Sequence, residues 1–542
     1  MAVNILNIGK SALTAAQVGI SVTGHNIANA ATPGYSRQEV VQRAAEAQDY
    51  GFGYLGQGAE ISQVKRAYSQ VIAQQMHSAQ TSSSATNAYA TQMIQIDNML
   101  SDVNAGLSPA IQEFFSSVQG LSSNPGDAAS RQAVISKAEA LTNRFQSIGN
   151  QLDEIREGVN SELVSSTKLV TAYATQIASL NDVISKALGA DKNNAPNDLM
   201  DQRDQIIAEM NKLIKTDIYT QDDGSYNVFV GNGVPLVVGG KSYGLTTVSS
   251  TTDASRLEVA YVSNTTVKPL SESSLPGGSI GGLLQFRSSS LDNIQNQIGQ
   301  IATVIAETFN AQHKLGFDPS GTAGGNFFNA PTPQVFGDTA NSVTATLNAT
   351  ISSATALTSS DYKLKYDGTN YSVTRVSDGT VQTFASLPQT VDGLTINGTM
   401  AAGDSFLIQP TRGAATTFSV AISDINKIAA ADATGGNGNN RNALELAALQ
   451  RKPLLNNSAL TYESAFGQVV SAVGNKTHEL KVVGASEDTL LAQATAAQQS
   501  ESGVNLDEEA TNLLRYQQAY QAAGKVMQIA SSLFDMLLTI GH

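Results

Sequence analysis

LNIGKSALTAAQVGISVTGHNIANA, residues 6–30, and LDEEATNLLRYQQAYQAAGKVMQIASSLFDML, residues 506–537, set the architecture of this chain. In the first, Leu6, Leu13, Ile20 and Ile27 recur every seven positions. In the second, Leu506, Leu513, Tyr520, Met527 and Phe534 do the same, with Tyr516, Ala523, Ala530 and Leu537 three positions on. A sevenfold apolar repeat keeps a narrow stripe on one side of a helix only where that helix winds around another. Both terminal helices are therefore expected in a coiled coil, with each other or with other subunits. An isolated terminal helix gains too little from local hydrogen bonds to hold itself rigid, so both ends are expected to order only on assembly.

Working inward, the first helix must stop near Ala31, because Pro33 has no amide hydrogen and biases Thr32 away from helical angles. Gly51, Gly53, Gly56 and Gly58 mark a loop-rich segment. Helical spacing resumes over 67–100, and Ser108-Pro109 reads as an N-cap followed by proline. Val134, Leu141, Ile148 and Ile155, then after a one-residue slip at Gly158 Leu163, Val170, Ile177 and Ile184, predict one long helix over 127–188. A further helix spans 197–214. The sevenfold seams within these central helices read as an intramolecular bundle core.

Beyond Lys215 the period changes to two. Tyr226, Val228 and Val230 alternate behind Asp222-Asp223-Gly224, as in a hairpin. Helix returns at Ser279, with Leu284, Leu291, Ile298 and Ile305 on one edge. Strands resume from about Val343, where Tyr362, Leu364 and Tyr366 alternate ahead of an Asp367-Gly368 turn. Gly435 to Asn440 reads as a linker. After it, Phe466, Val473 and Leu480 form one apolar row and Val469, Val483 and Leu490 a second. The expected fold is α+β and multidomain, with terminal coiled-coil helices, a long-helix bundle and β-rich domains inserted between them. The boundaries are 1–33 with 503–542 for the terminal pair; 34–215, 278–325 and 436–502 for the bundle; 216–277 for the first insertion; and 326–435 for the outer one. This nesting places the termini together and the strands at the opposite pole.

Composition narrows the function. There is no cysteine among 542 residues, which removes disulfides, thiolate metal sites and cysteine nucleophiles. The formal charge of −14, without clustered Lys and Arg, argues against nucleic acid. Met1 to Lys10 lacks the features of a cleaved secretory signal, and no run approaches the roughly 18 apolar residues of a membrane span. Gly51-Phe52-Gly53-Tyr54-Leu55-Gly56 matches a dinucleotide fingerprint in letters but lacks the flanking strand and helix. Gly240-Lys241-Ser242-Tyr243-Gly244 spells a nucleophile elbow without the helix that must follow its serine. The five histidines show no ligand spacing, so neither metal nor cofactor is expected. Asp507-Glu508-Glu509 reads as acids favouring a helix N-terminus, not as paired catalytic carboxylates. The chain is expected not to be an enzyme.

Four separated stretches carry a family resemblance. They are Gly24-His25-Asn26-Ile27-Ala28-Asn29-Ala30-Ala31-Thr32-Pro33-Gly34-Tyr35-Ser36-Arg37-Gln38; Asn197-Asp198-Leu199-Met200-Asp201-Gln202-Arg203-Asp204; Gly281-Gly282-Leu283-Leu284-Gln285-Phe286-Arg287; and Ser502 to Tyr520. Together they resemble the bacterial flagellar rod, hook and hook-associated proteins, and within them the hook-associated protein 1 family. The resemblance implies a structural adapter joining hook to filament by helical polymerisation, with termini lining a tube and β domains on its surface. It implies hook protein and hook-associated protein 3 as neighbours, self-association in a helical lattice, and export through the flagellar type III apparatus. It also implies a cytoplasmic chaperone over the C-terminal helix around Leu513 to Leu537. Nucleic-acid partners and membrane insertion are not expected. The expected assembly interface is Leu6, Leu13, Ile20, Ile27, Leu506, Leu513, Tyr516, Tyr520, Met527, Phe534 and Leu537, with Ala12, Ala15, Ala16, Gly19, Ala522 and Gly524 allowing close approach. The rival readings are another axial protein (hook, distal rod or filament subunit), a wall-cutting hydrolase carried on axial termini, and a surface adhesin.

Overall fold

The computed structural model describes residues 2–49, 51, 53–102, 106–191, 193–264, 266–434 and 438–540; for 2, 3 and 537–540 it describes the helical backbone alone. Helix α1 (Ala2–Asn29) ends just before the Pro33-Gly34 turn. The loop-rich segment expected next is in part a β-hairpin: Gln38–Ala44 pairs antiparallel with Ala59–Arg66, and Gly51, Gly53 and Gly58 take positive φ in the connection. The glycines hid these strands from a reading based on turn residues.

Four helices follow, α2 (Gln70–Leu100), α3 (Leu107–Ser123), α4 (Ala128–Ala190) and α5 (Asn197–Leu213). Gly106, not Ser108, occupies the N-cap of α3, which places Pro109 within the first turn, where its missing amide hydrogen costs nothing. Asp127 caps α4 by accepting the Ser130 amide at 2.9 Å. The 63 residues of α4 run about 95 Å without interruption, through an exposed Gly158. Its heptad residues Val134, Leu141, Ile148, Leu163, Val170, Ile177 and Ile184 are buried, and Ile155 is half-buried.

The first β region packs along α4. Strands Thr216–Thr220, Tyr226–Val230, Val234–Val238 and Lys241–Ser242 form one antiparallel sheet. Gly244–Ser249, Leu257–Ser263 and Thr266–Pro269 form another. Asn181 donates to the Tyr226 carbonyl and Thr171 to that of Leu245, so α4 supplies partners to both sheets. Then α6 (Gly278–Phe286) continues through a single π turn, Arg287–Leu291, into α7 (Asp292–His313).

The outer region holds a five-stranded antiparallel sheet ordered Gln334–Gly337, Ser405–Gln409, Tyr362–Tyr366, Tyr371–Arg375, Val381–Phe384. Beside it lies a three-stranded sheet of Thr346–Ile351, Leu394–Thr399 and Gln389–Val391. These sheets bury their own core of Leu364, Val373, Leu394, Ile396, Ile408 and neighbours, separate from the trunk core. The chain returns through α8 (Ala414–Thr417) and α9 (Arg441–Ala448) to α10 (Tyr462–Ser502) and α11 (Leu506–Ile540). Of the expected linker Gly435 to Asn440, residues 435–437 lie outside the described set, and Asn440 stands at the N-cap of α9. On α10, Phe466, Val469, Val473 and Leu480 are buried against the trunk. Val483 and Leu490 are exposed: the buried stripe runs from Leu480 to Gly484 and leaves them to one side.

Candidate assembly site at the terminal helices

Helices α1 and α11 pack against each other within one chain, one of the two pairings that the terminal heptads allow. Small residues set their approach. A Cβ on Gly19 would stand 2.5 Å from the Tyr516 ring, and one on Gly9 would stand 2.9 Å from Met527 Cγ. The buried residues of α1 are Gly9, Ala15, Ala16, Gly19, Thr23 and Asn26, and those of α11 are Glu509, Ala523 and Ala530. Large apolar residues flank this seam. Leu13, Ile20, Ile27, Leu513, Tyr516 and Met527 are half-buried, Leu6, Leu506, Tyr520 and Phe534 are exposed, and the side chain of Leu537 lies outside the described set. The seam within the chain is thus lined by residues with little side chain, as a close helix crossing requires, and the bulky heptad residues border it. A second stripe on α11, Ala522, Val526, Ile529 and Leu533 at alternating spacings of four and three, is exposed to solvent; Ile529 keeps 58% of its surface.

The turn after α1 ties this pair to the trunk. Asn26, 1% exposed, uses its whole amide: Oδ1 accepts the Tyr35 hydroxyl (2.7 Å) and the Gln38 amide (2.9 Å), and Nδ2 donates to the Gln38 carbonyl (2.9 Å) and the Glu509 carboxylate (3.2 Å). Arg37 donates its amide to the Ser502 carbonyl (2.8 Å) and its guanidinium to Glu508 (3.0 Å). Glu508 and Glu509 thus do more than favour the α11 dipole. Gly34, at φ +78, leaves no room for a side chain against Gln205.

Helix α5 receives that turn. Asp198 accepts from Gln38 Nε2 (2.7 Å) and lies 3.3 Å from His25 Nε2, while Asp201 accepts the Ser36 amide (2.9 Å) and Arg66 (2.8 Å). Arg66 also pairs with Asp204 at 2.7 Å. Arg203, fully buried, donates to Asn181 and to the Gly224 carbonyl and lies over the Tyr226 ring at 3.4 Å. Burial pushes the Asp201 carboxyl up against the pull of Ser36 and Arg66. Burial, with the carboxylates of Asp198, Asp201 and Glu509, pushes the Tyr35 phenol up, so it remains a donor. Three of the signature stretches, 24–38, 197–204 and 502–520, are therefore one site, the first two joined across more than 150 residues of sequence. The contact of Tyr226 with α5 also corrects the placement of all strands at the pole opposite the termini, since the first β region reaches the helix that anchors them. The sequence signal was available in the acids and arginines along one short helix; their partners were not.

Comparison with known proteins bears on this arrangement. The family description "Flagellar hook-associated protein FlgK helical domain" matches residues 93–328, and "Flagellar hook-associated protein 1, D2-like domain" matches 336–410. A flagellar basal body rod family matches 6–35, and the C-terminal family of the rod FlgEFG proteins matches 498–540. Flagellar hook-associated protein 1 of Escherichia coli K12 is 40% identical, over 99% of this chain and 100% of that protein. The chain belongs to the flagellar hook-associated protein 1 family. The member from Bacillus subtilis 168 is 23% identical over 98% of the chain and 97% of its own length. The structure of the flagellar hook junction protein FlgK from Burkholderia pseudomallei covers 79% of this chain and 100% of its own, at TM-score 0.75 and 30% identity.

Within the helical domain of this hook-associated protein 1 family member, the Gly281 to Arg287 stretch has a packing explanation. A Cβ on Gly282 would stand 2.1 Å from the Ala85 carbonyl oxygen, so α6 meets α2 backbone to backbone. The π turn then aims Arg287, fully buried, at Glu272 (2.7 Å) and the Leu257 carbonyl (2.8 Å). Asp292 engages Arg156 (2.8 Å) and Arg256 (2.7 Å). Burial opposes its charge, but Arg412, Arg156 and Arg256 prevail and hold it at about 2. Among the described residues no three His, Asp or Glu side chains gather as metal ligands, and no helix is long and apolar enough to cross a membrane. The Gly240 to Gly244 stretch runs from strand to strand and forms no elbow.

Proposed function

We propose that this chain is a structural adapter at the hook–filament junction, polymerising helically through its terminal helices. The observation that carries this reading is the two-sided character of α11. One face is consumed by α1 across a thin seam of small residues, and the other presents Ala522, Val526, Ile529 and Leu533 to water at coiled-coil spacing. Burying each of the larger side chains against a neighbouring copy is worth about 1.5–3 kcal/mol, and the contact repeats with every subunit added. Head-to-tail contact that does not close generates an open helical lattice. The half-buried Leu13, Ile20, Ile27, Leu513 and Met527, with the exposed Leu6, Leu506, Tyr520 and Phe534, extend the same interface.

In this reading the Asn26–Tyr35–Asp201 network carries load from the terminal pair, 1–33 with 503–542, into the bundle, and the β-rich regions face outward. Neighbours are the hook protein on one side and hook-associated protein 3 on the other. Before assembly a cytoplasmic chaperone covers the exposed stripe of α11, and the chain leaves through the flagellar type III apparatus. The test is Ile529→Asp in cells whose own copy is deleted. Ile529 is exposed in the single chain, so the variant should fold and melt as wild type, while cells bear hooks without filaments and shed filament protein into the medium. Normal filaments on these cells would refute the interface.

A further inference from the structure

The glycines of the Gly51 to Gly56 stretch, which matched a dinucleotide fingerprint in letters, belong to the outer end of the hairpin built on Gln38–Ala44 and Ala59–Arg66. Past those strands the chain runs outward through a second short antiparallel pair, Gln48–Asp49 with Tyr54–Leu55. Every described residue from Glu46 to Gly56 is exposed; Tyr54 keeps 75% of its surface and Leu55 40%. Gly56 has open space around it and an ordinary φ, so the single chain makes no demand for a glycine there, whereas close approach by another molecule does. The arm has a firm root. The Gly58 carbonyl, in a residue at φ +100, accepts the Ala45 amide (2.9 Å), a Cβ on Gly58 would collide with Ser11 of α1, and the Ala59 amide donates to the Ser11 hydroxyl at 3.3 Å. Two residues before Ser11, Gly9 faces Met527 of α11. The root thus sits at the level of Met527, where the exposed stripe of Val526, Ile529 and Leu533 also lies. Ala45 to Asp49 alone extends about 16 Å at the rise of a strand, more than the roughly 10 Å diameter of a helix. The charges are complementary as well. Between Ala44 and Gly58 stand Glu46 and Asp49 and no basic residue, while Lys525, the one basic residue of α11 beyond Arg515, is exposed immediately before Val526.

We propose that the hairpin tip at Tyr54 and Leu55 docks on the α11 stripe, at Ile529, of the copy packed alongside, with Lys525 of that copy meeting Glu46 and Asp49. This rests on polymerisation through the terminal helices and names what covers the stripe. Each partner has apolar surface to lose: Tyr54 and Leu55 on the arm, Val526, Ile529 and Leu533 on the helix. Tip and stripe are different surfaces of one chain, so the contact is heterologous. Each copy gives its tip to one neighbour and its stripe to another, and the series stays open, as a helical lattice requires.

The chain has no cysteine, so introduced thiols report on one contact at a time. Chains carrying Tyr54→Cys and chains carrying Ile529→Cys are expressed together in cells lacking their own copy, and the isolated flagella are treated with a mild oxidant. A mixed disulfide-linked dimer is expected. It should be absent when Leu514→Cys, equally exposed but about 22 Å away along α11, replaces Ile529→Cys. With Tyr54→Cys and Ile529→Cys on one chain, the product should be a ladder of multimers. No mixed dimer with Ile529→Cys, nor with Val526→Cys or Leu533→Cys in its place, overturns the proposal, as does a link formed only within a doubly substituted chain. Maleimide labelling of Ile529→Cys separates the two readings. A thiol shielded in flagella but reactive in the purified chain, with no mixed dimer, overturns the tip and leaves the lattice; a thiol equally reactive in both overturns the lattice as well. Tyr54→Asp keeps the test decisive if the cysteine chains do not assemble. Tyr54 is exposed, so this variant should melt as wild type yet leave about tenfold fewer hooks bearing filaments, and an undiminished number overturns the proposal.

Discussion

Replacing Asn26 with alanine removes one side chain and strands four partners. The Gln38 amide and carbonyl, the Tyr35 hydroxyl and the Glu509 carboxylate all bond the Asn26 amide at 2.7–3.2 Å. A buried polar group left without its partner costs about 1–3 kcal/mol. Glu509 is nearly fully buried and bears the full cost, whereas Tyr35 and Gln38 are half-buried and water restores part of theirs. The sum is about 3 kcal/mol, which shifts a local opening equilibrium roughly a hundredfold. The seam of Gly9, Ala16 and Gly19 has little apolar area to absorb such a loss. Hydrogen exchange on the full chain is the assay: amides of α1 and the first turns of α11 should lose about two orders of magnitude of protection, with the α4 core unchanged. Asn26→Asp should be at least as damaging, since it sets a carboxylate against Glu509. Unchanged protection in α1 and α11 for either variant would refute the network as the tie between the terminal pair and the trunk.

Gly282→Ala should destabilise the trunk by about 1–3 kcal/mol in a denaturant melt, because its Cβ meets the Ala85 backbone and no side chain can yield. Residues 334–410, expressed alone, should give strand-type circular dichroism and a cooperative melt, since their sheets bury their own core; a featureless spectrum would count against that unit. Asp292 and Asp361 should shape the acid limb in opposite senses. Asp361, raised in the fold, adds stability as pH falls from about 6 toward 4. Asp292, held at about 2, contributes stability present above its unfolded value near 4 and lost as pH falls through 2, about 2 kcal/mol in all.

Periodicity made the long elements legible. The heptads of α4, read across a one-residue slip, located its 63 residues, and the alternation of Tyr226, Val228 and Val230 found a strand whose inward side chains are buried. The seam of the terminal pair was less legible, because Gly9, Ala16 and Gly19 are chosen for what they lack and sit beside larger residues that dominate any apolar repeat. The π turn at Arg287 to Leu291 left no trace in the spacing, since Leu284, Leu291, Ile298 and Ile305 keep sevenfold intervals through it. Glu509 and Asp201 looked like ordinary helix acids; their partners Asn26 and Ser36 lie far away in sequence, and only the folded chain brings them within hydrogen-bond reach.

On the proposed function, copies of this chain form the joint by packing their terminal helices side by side. Electron cryomicroscopy of the hook–filament boundary in isolated flagella would image that packing. Density for this chain is expected between hook and filament, with the paired α1 and α11 on the inner wall and the Val526–Ile529–Leu533 stripe buried against the next copy. A boundary without the chain, or one in which that stripe faces water, would contradict it.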